Sequence, residues 1–143
     1  MIDLRSLIGK CLVAVQVGHN HDKVHPAWRD ETNKGFLICY DINLVFQGQE
    51  SYSIKPCEVD VADHFSGLGL MVEKVEKVDT LESSIPFNIT NLPLRINEIV
   101  QRDHLGEDVI NQYVFLLENG SSLEIRHVFP PMTLGINVVS VNA

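Results

Sequence analysis

Cysteines are few in this 143-residue sequence, and their spacing excludes two classes of small protein. The three cysteines, Cys11, Cys39 and Cys57, lie far apart and form no C-x-x-C pair. A disulfide framework and a zinc knuckle both need more cysteines at closer spacing. Cys11 and Cys39 lie in apolar runs and are expected to be buried, whereas Cys57 lies in a polar stretch and is expected near the surface.

The sequence also lacks a long apolar run, which excludes a membrane-spanning helix. Such a helix needs about 20 consecutive apolar residues, and no stretch approaches that length. The first residues have neither the basic segment nor the small-residue cleavage site of a secretory signal peptide. We therefore predict a cytoplasmic protein.

Basic residues are scarce: 11 Lys and Arg oppose 19 Asp and Glu, which gives a formal net charge of −8. Proteins bind nucleic acids and anionic membranes through clustered Lys and Arg, so we expect neither kind of partner. Residues 58–82 form an acidic segment that is either a solvated face or a surface attracting a basic protein or a cation. Its acidic residues are Glu58, Asp60, Asp63, Glu73, Glu76, Asp79 and Glu82.

The clearest structural signal is a hairpin over residues 111–129. Two runs rich in β-formers flank Asn119-Gly120, a pair typical of a two-residue type I′ turn with positive φ at both positions. The first arm, residues 113–117, is apolar throughout and predicts a strand covered on both faces. The second arm alternates polar and apolar residues, which predicts a half-buried strand.

Similar patterns predict a single domain that is mainly β. We expect an antiparallel sandwich or a strongly curled sheet with at most two short helices. Asp3 is predicted to cap a short helical turn, Pro56 to end a strand, and residues 59–65 to form a helical turn. The predicted strands cover residues 10–17, 36–40, 44–47, 51–55, 69–78, 94–101 and 134–141.

The two halves of the sequence resemble each other. Three pairs of segments carry the resemblance: 6–15 with 91–100, 51–56 with 122–127, and 68–72 with 134–138. We interpret this as an internal duplication of residues 1–78 and 91–143, joined by a connector at 79–90, which gives two similar β units. Chance similarity between strands of one all-β protein is the alternative.

Residues 18–35 are predicted to form a long polar loop, and this segment contains His19, His21 and His25. In an extended chain, residues two apart point to the same side, so His19 and His21 could bind one divalent metal such as zinc. His25 would add a third ligand, and Asp22 or Glu58 would act as auxiliary ligand or base. The alternative is a polar loop that contains three histidines without binding metal.

The same loop contains Trp28 and Arg29. Tryptophan and arginine are over-represented among the residues that dominate protein–protein binding energy. Trp28 therefore either folds back onto the domain or anchors a partner. Because long loops inside compact domains are often functional, we expect this loop to contribute to function.

Other motifs are incomplete. Neighbouring residues in a strand face opposite ways, so Asp63-His64 and Asp103-His104 do not form oriented acid–imidazole pairs and are predicted to be solvated turn residues. The sequence contains no G-x-S-x-G motif for a serine nucleophile. Gly67 and Gly69 do not form a dinucleotide-binding motif and are predicted to mark a bend or bulge.

The function we predict is a small acidic protein-binding module, without catalysis or cofactor, that neutralises a basic protein. Inhibitors of the toxin-immunity type offer an analogy of size and charge. Trp28, Arg29, Glu58, Asp60 and Asp63 are the predicted contacts. A metal-dependent enzyme or metal-binding protein that uses the His19, His21 and His25 loop is the alternative, and a homodimer formed through unpaired strand edges also remains open.

The metal-binding alternative predicts one divalent ion per chain in untagged protein isolated from its own host. Replacing both His19 and His21 by Ala should remove that ion, because two of its ligands are lost. Elemental analysis or native mass spectrometry measures the metal content. The same metal content in the double variant would contradict the alternative.

Overall fold

The structure, a computed structural model, describes residues 3–17, 37–39, 41–48, 50–61, 65–75, 83–84, 93–106, 108–128 and 133–139. In these residues a 3-10 helix at Leu4–Leu7 precedes ten strands. The strands are β1 (Cys11–Val17), β2 (Leu37–Cys39), β3 (Ile42–Phe46), β4 (Glu50–Val61), β5 (Phe65–Val75), β6 (Ser83–Ser84), β7 (Leu94–Arg102), β8 (Gln112–Leu117), β9 (Ser122–Val128) and β10 (Thr133–Val139). None of the described segments is a helix long and apolar enough to span a membrane.

Asp3 caps the 3-10 helix as predicted. Its carboxylate accepts a hydrogen bond from the backbone N–H of Arg5 at 3.0 Å, which provides a partner for a donor that the helix itself leaves unpaired. Leu4 and Leu7 are buried on the side that faces the sheet. The cap therefore fixes the point at which the chain enters the core.

Hydrogen bonds join the strands in the order β2-β10-β9-β8-β7-β1-β3-β4-β5, and β6 pairs with β1 beside this path. All these pairings are antiparallel. The order contains two meanders, β1-β3-β4-β5 and β7-β8-β9-β10, which meet where Cys11 pairs with Arg95 and Leu12 with Leu94. The predicted antiparallel β class is confirmed, and the internal duplication stays a prediction.

The sheet curls so that both meanders contribute to one apolar core. The pairing register shifts after Leu12 in β1 and after Ile96 in β7, and such irregularities increase the local twist of a strand. Phe46 of the first meander and Phe115 of the second are both buried in this core. The predicted curled sheet is therefore confirmed.

β8 and β9 form the predicted hairpin, but the predicted turn type is wrong. Gly120 has a positive φ of 86°, whereas Asp108 is the only non-glycine residue with positive φ in the described part of the chain. Asn119 therefore lacks the conformation that a type I′ turn requires. Its side chain instead accepts a hydrogen bond from the Ser121 N–H at 2.9 Å. The hairpin connection is a longer loop whose glycine takes the left-handed position.

β4 is longer than the sequence predicts, because Pro56 does not end it. β3 pairs with β4 only as far as Ile54, so beyond that residue β4 pairs with β5 alone. Proline lacks a backbone N–H, and a strand tolerates this where no neighbour needs the donor. β4 therefore continues to Val61, and the helical turn predicted for residues 59–65 is wrong.

Candidate functional site

Two of the predicted partner-binding residues, Glu58 and Asp60, lie near the end of β4 and are exposed. Alternation along the strand places them on the same side as Tyr52 and Ile54, which are buried. The β4–β5 pair extends past the end of β3, so the core-facing side of β4 continues beyond the core. The carboxylates of Glu58 and Asp60 lie on this part of β4.

The other predicted site residues lie outside the described part of the chain: Trp28, Arg29, Asp63, His19, His21 and His25. Their predicted roles therefore stay predictions. Within the described ranges, no group of three or more His, Cys, Asp or Glu residues is arranged to hold a metal ion. The structure brings together only Glu58 and Asp60 from the predicted set.

An open groove of about 320 Å³ lies beside the extended β4–β5 pair. Its floor is apolar and consists of buried residues from the 3-10 helix, β5 and β8: Leu4, Leu70, Val72 and Tyr113. The hydroxyl of Tyr113 donates to the backbone carbonyl of Leu70 at 3.4 Å. The one hydroxyl of the floor is therefore directed at the protein itself.

The sides of the groove are formed by Val59 of β4 and by Val109 and Ile110 of the loop between β7 and β8. Val59 is 38% exposed and Ile110 is 42% exposed, so both place apolar surface at the rim. Asp3 and Gln101, which are also exposed, add polar groups to the lining. The groove thus combines an apolar floor, an apolar rim and a carboxylate.

Gly69 allows Val59 and Val109 to approach each other across β5. A Cβ atom on Gly69 would lie 2.8 Å from Cγ2 of Val59 and 3.0 Å from Cγ1 of Val109. The pairing of β4 with β5 passes Gly67 and Gly69 without a register shift, so the predicted bulge is wrong. A glycine is needed at position 69 because the side chains of Val59 and Val109 occupy the space that a Cβ atom would fill.

Asp103 holds the β7–β8 loop in shape. Its Oδ1 accepts hydrogen bonds from the Gly106 N–H at 2.8 Å and from Asn111 Nδ2 at 2.7 Å, and its Oδ2 accepts one from the Asp108 N–H at 2.8 Å. Gly106 and Asp108 both have positive φ, at 72° and 60°. The Asp103 carboxylate thus accepts hydrogen bonds from three donors in a tightly folded loop. This loop places Val109 and Ile110 at the groove.

Two histidines connect this loop to β9 and β5. The backbone N–H of His104 donates to Asn111 Oδ1 at 2.8 Å, and its Nε2 lies 2.7 Å from the carbonyl oxygen of His127. His127 is fully buried, and its Nδ1 lies 2.8 Å from the carbonyl oxygen of Gly69. Because carbonyl oxygens only accept hydrogen bonds, His104 Nε2 and His127 Nδ1 are both protonated and act as donors. The predicted solvated position of His104 is wrong, since the residue is half-buried.

Burial affects two titratable side chains in this region, Tyr113 and Cys57. Burial raises the pKa of the Tyr113 hydroxyl to about 12, and burial also raises the pKa of the half-buried Cys57 thiol. A reactive cysteine needs its thiolate form near neutral pH, so Cys57 is a poor nucleophile. Both groups are therefore neutral near neutral pH, and the Asp3 carboxylate supplies the acidic group of the groove lining.

Comparison with known proteins adds no relative: the chain matches no family model, no curated protein and no solved structure.

The sequence did not predict the groove or the histidine contacts. His104 and His127 are 23 residues apart, and His127 and Gly69 are 58 apart. The isolated glycine in the apolar run of β5 was the one available signal, since such glycines often mark a close approach.

We expect Gly69→Ala to lower the free energy of unfolding by about 1–3 kcal/mol, because the new methyl group would overlap two valines with restricted rotamers. Urea unfolding measures this change. Adding Val59→Ala to Gly69→Ala should recover part of the loss, because the closest atom, Cγ2 of Val59, is then absent. A Gly69→Ala variant as stable as the wild type would contradict the close-contact role.

We expect His104 to make folding less stable in acid. Burial lowers its pKa below the ordinary 6.5, and the charge of Arg126 acts in the same direction, while the hydrogen bond to His127 and the charge of Asp103 oppose it. The unfolded chain therefore binds the proton first. The neutral His104 side chain therefore contributes to the free energy of unfolding. This contribution is complete above about pH 6.5 and is lost as the pH falls through the pKa of His104 in the folded protein.

Urea unfolding of wild type and His104→Gln between pH 7 and pH 5 measures this effect. Carboxylates titrate in both proteins, so the difference between the two curves isolates His104. The glutamine amide keeps a donor for the His127 carbonyl. Identical pH dependence in the two proteins would show that His104 does not contribute.

Proposed function

We propose that this chain is a small acidic protein-binding module of the cytoplasm that captures and neutralises a basic protein partner, as an inhibitor or immunity-type protein does. The observation that carries the proposal is the exposure of Glu58 and Asp60 at the end of β4, where this strand continues past the end of β3. Exposed carboxylates attract a basic surface and raise its association rate. The exposed side chain of Val59, on the other side of the same strand, adds apolar surface to this end of β4.

The extended β4–β5 pair is suited to this role because its backbone is ordered before binding. The two strands pair at eleven consecutive positions, from Ser51 with Val75 to Val61 with Phe65. Side chains on paired strands lose less conformational freedom on binding than those on an unstructured segment. The carboxylates of Glu58 and Asp60 are therefore presented at a fixed spacing on one side of β4.

The lysines of the same pair do not cancel these carboxylates. Lys55 lies on the opposite side of β4 from Glu58. Lys74 pairs with Tyr52, six positions before Glu58, which corresponds to roughly 20 Å along a strand. That distance exceeds the screening length of about 8 Å at physiological ionic strength, so the end of β4 keeps its negative potential.

We expect reversal of both charges, Glu58→Lys with Asp60→Lys, to weaken partner capture roughly tenfold or more, because the surface would then repel a basic protein. Affinity capture from the host, with identification and titration of the retained protein, measures the effect. Glu98→Lys with Glu118→Lys is the matched control, since both residues are exposed and the net charge changes equally.

The retained protein should be basic, and its association rate should fall as salt is added. Equal capture by the Glu58→Lys, Asp60→Lys variant and the control variant would overturn the proposal. Capture of an acidic protein with no salt dependence would also overturn it.

A further inference from the structure

We propose that the turn between β8 and β9 prepares Asn119 for spontaneous chemical modification, in which its side-chain amide becomes a carboxylate through a cyclic imide formed with the Gly120 backbone nitrogen. This inference is independent of the proposed function. The reaction takes up only water, because both reacting groups belong to the chain itself.

The chain contains a single Asn-Gly pair. Asn119 is the only one of its asparagines that a glycine follows. Imide formation requires the backbone nitrogen of the following residue to reach the carbonyl carbon of the asparagine side chain, and a side chain on that following residue obstructs the approach. Glycine has no side chain and adopts conformations that other residues avoid. The sequence therefore distinguishes Asn119 from the other asparagines.

The turn is open to the water that the reaction consumes. Glu118, Asn119 and Gly120 are all exposed. Solvent-exposed backbone hydrogen bonds at such a position open at a low cost in free energy, so the turn can change its local conformation without unfolding β8 or β9. Water and hydroxide therefore reach both the side-chain amide and the backbone nitrogen.

The side chain of Asn119 is folded over the backbone with which it would react. Its Oδ1 accepts a hydrogen bond from the Ser121 N–H at 2.9 Å. This contact joins the side chain to the backbone two residues later, so the side-chain carbonyl spans the Gly120 nitrogen that lies between. The carbonyl carbon is bonded to Oδ1 and is therefore kept near that nitrogen, which favours the attack.

The same hydrogen bond stabilises the charge that develops during the attack. When the nitrogen adds to the carbonyl carbon of Asn119, negative charge moves onto Oδ1. A backbone N–H that already points at this oxygen stabilises the oxyanion, as the donors of enzyme oxyanion holes do. The Ser121 backbone is held in place from its other side, because its carbonyl oxygen accepts a hydrogen bond from the Leu117 N–H at 2.9 Å.

One contact opposes the reaction. The Gly120 N–H donates to the carbonyl oxygen of Leu117 at 2.9 Å, and this hydrogen bond must break before the nitrogen can attack. At an exposed turn water replaces the lost partner, so the net contribution of a single backbone hydrogen bond is small. The bond therefore slows the reaction without preventing it.

The chemistry has two steps. Hydroxide removes the proton of the Gly120 nitrogen, which forms a bond to Cγ of Asn119, and the side-chain nitrogen takes up a proton from water and leaves as ammonia. Water then opens the imide at either of its two carbonyl groups. One opening gives an aspartate, and the other gives an isoaspartate, which inserts an additional methylene group into the backbone of the turn.

The test is incubation of the folded full-length protein in mildly alkaline buffer, with peptide mass spectrometry at intervals to locate each new carboxylate. Asn97 is the matched comparison within the same chain, because it is exposed in β7 and Glu98 follows it. We expect modification at Asn119 to be roughly tenfold faster or more, because its reacting groups are held together. Its rate should rise with pH, because hydroxide generates the attacking nitrogen. Equal rates at the two asparagines would overturn the inference.

A second measurement separates the contribution of the turn from that of the Asn-Gly pair alone. The same protein in guanidinium chloride keeps the pair but loses the hydrogen bond between Ser121 and Asn119. We expect Asn119 to react in the folded protein at least as fast as in the denaturant. A rate that falls strongly on folding would also overturn the inference, because the Leu117 contact would then protect the amide.

Asn119→Gln is the matched variant, because it keeps an exposed amide in the turn but lengthens the side chain by a methylene group. Attack by the Gly120 nitrogen would then have to close a larger ring. We expect this variant to lose most of the ammonia release of the wild type. Unchanged ammonia release would assign the reaction to other residues and contradict the inference.

Discussion

The outer edge of β5 sets the constraint on which the groove depends. Within the described residues, β5 is the last strand of the sheet order, so no described strand pairs with its outer edge. Such edges are prone to association. His127 and Tyr113 of the other meander direct donors at the carbonyl oxygens of Gly69 and Leu70. These two contacts join β5 to β8 and β9, with which it has no strand pairing in the described part of the sheet.

Gly69 joins this edge to the rim of the groove. Its carbonyl receives the His127 hydrogen bond, and its missing side chain lets Val59 and Val109 approach each other. The loop that carries Val109 is shaped by Asp103 and connected to His127 through His104. A change in protonation of His104 therefore acts on the same backbone that forms the side of the groove. The stability of the fold and the shape of the groove therefore both depend on the hydrogen bonds of Asp103, His104 and His127.

The sequence predicted those features that depend on neighbouring residues. The alternation in β9, the apolar β8, the cap by Asp3 and the mainly antiparallel class all follow from local pattern. The predicted type of the hairpin turn was wrong because the Asn119 side chain accepts a hydrogen bond from the Ser121 N–H. The Asn-Gly pair alone does not reveal this competing local contact. Pro56 was misjudged because its effect depends on whether β3 extends alongside it, which is a property of the sheet. The histidine contacts join residues far apart in sequence and therefore had no local signal.

The two meanders differ at the place where the groove lies. β10, the last strand of the second meander, pairs with β2, so a strand covers its outer edge. β5, the last strand of the first meander, has no strand beyond it among the described residues, and it continues past the end of β3 with β4. That continuation exposes Glu58, Val59 and Asp60 and leaves the edge of β5 to be covered by side chains. If the two units arose by duplication, which stays a prediction, the outer edges of β10 and β5 would be one place where the units have diverged. The exposed carboxylates of Glu58 and Asp60 then have a structural cause: a β4–β5 pair that is longer than the β3 strand beside it.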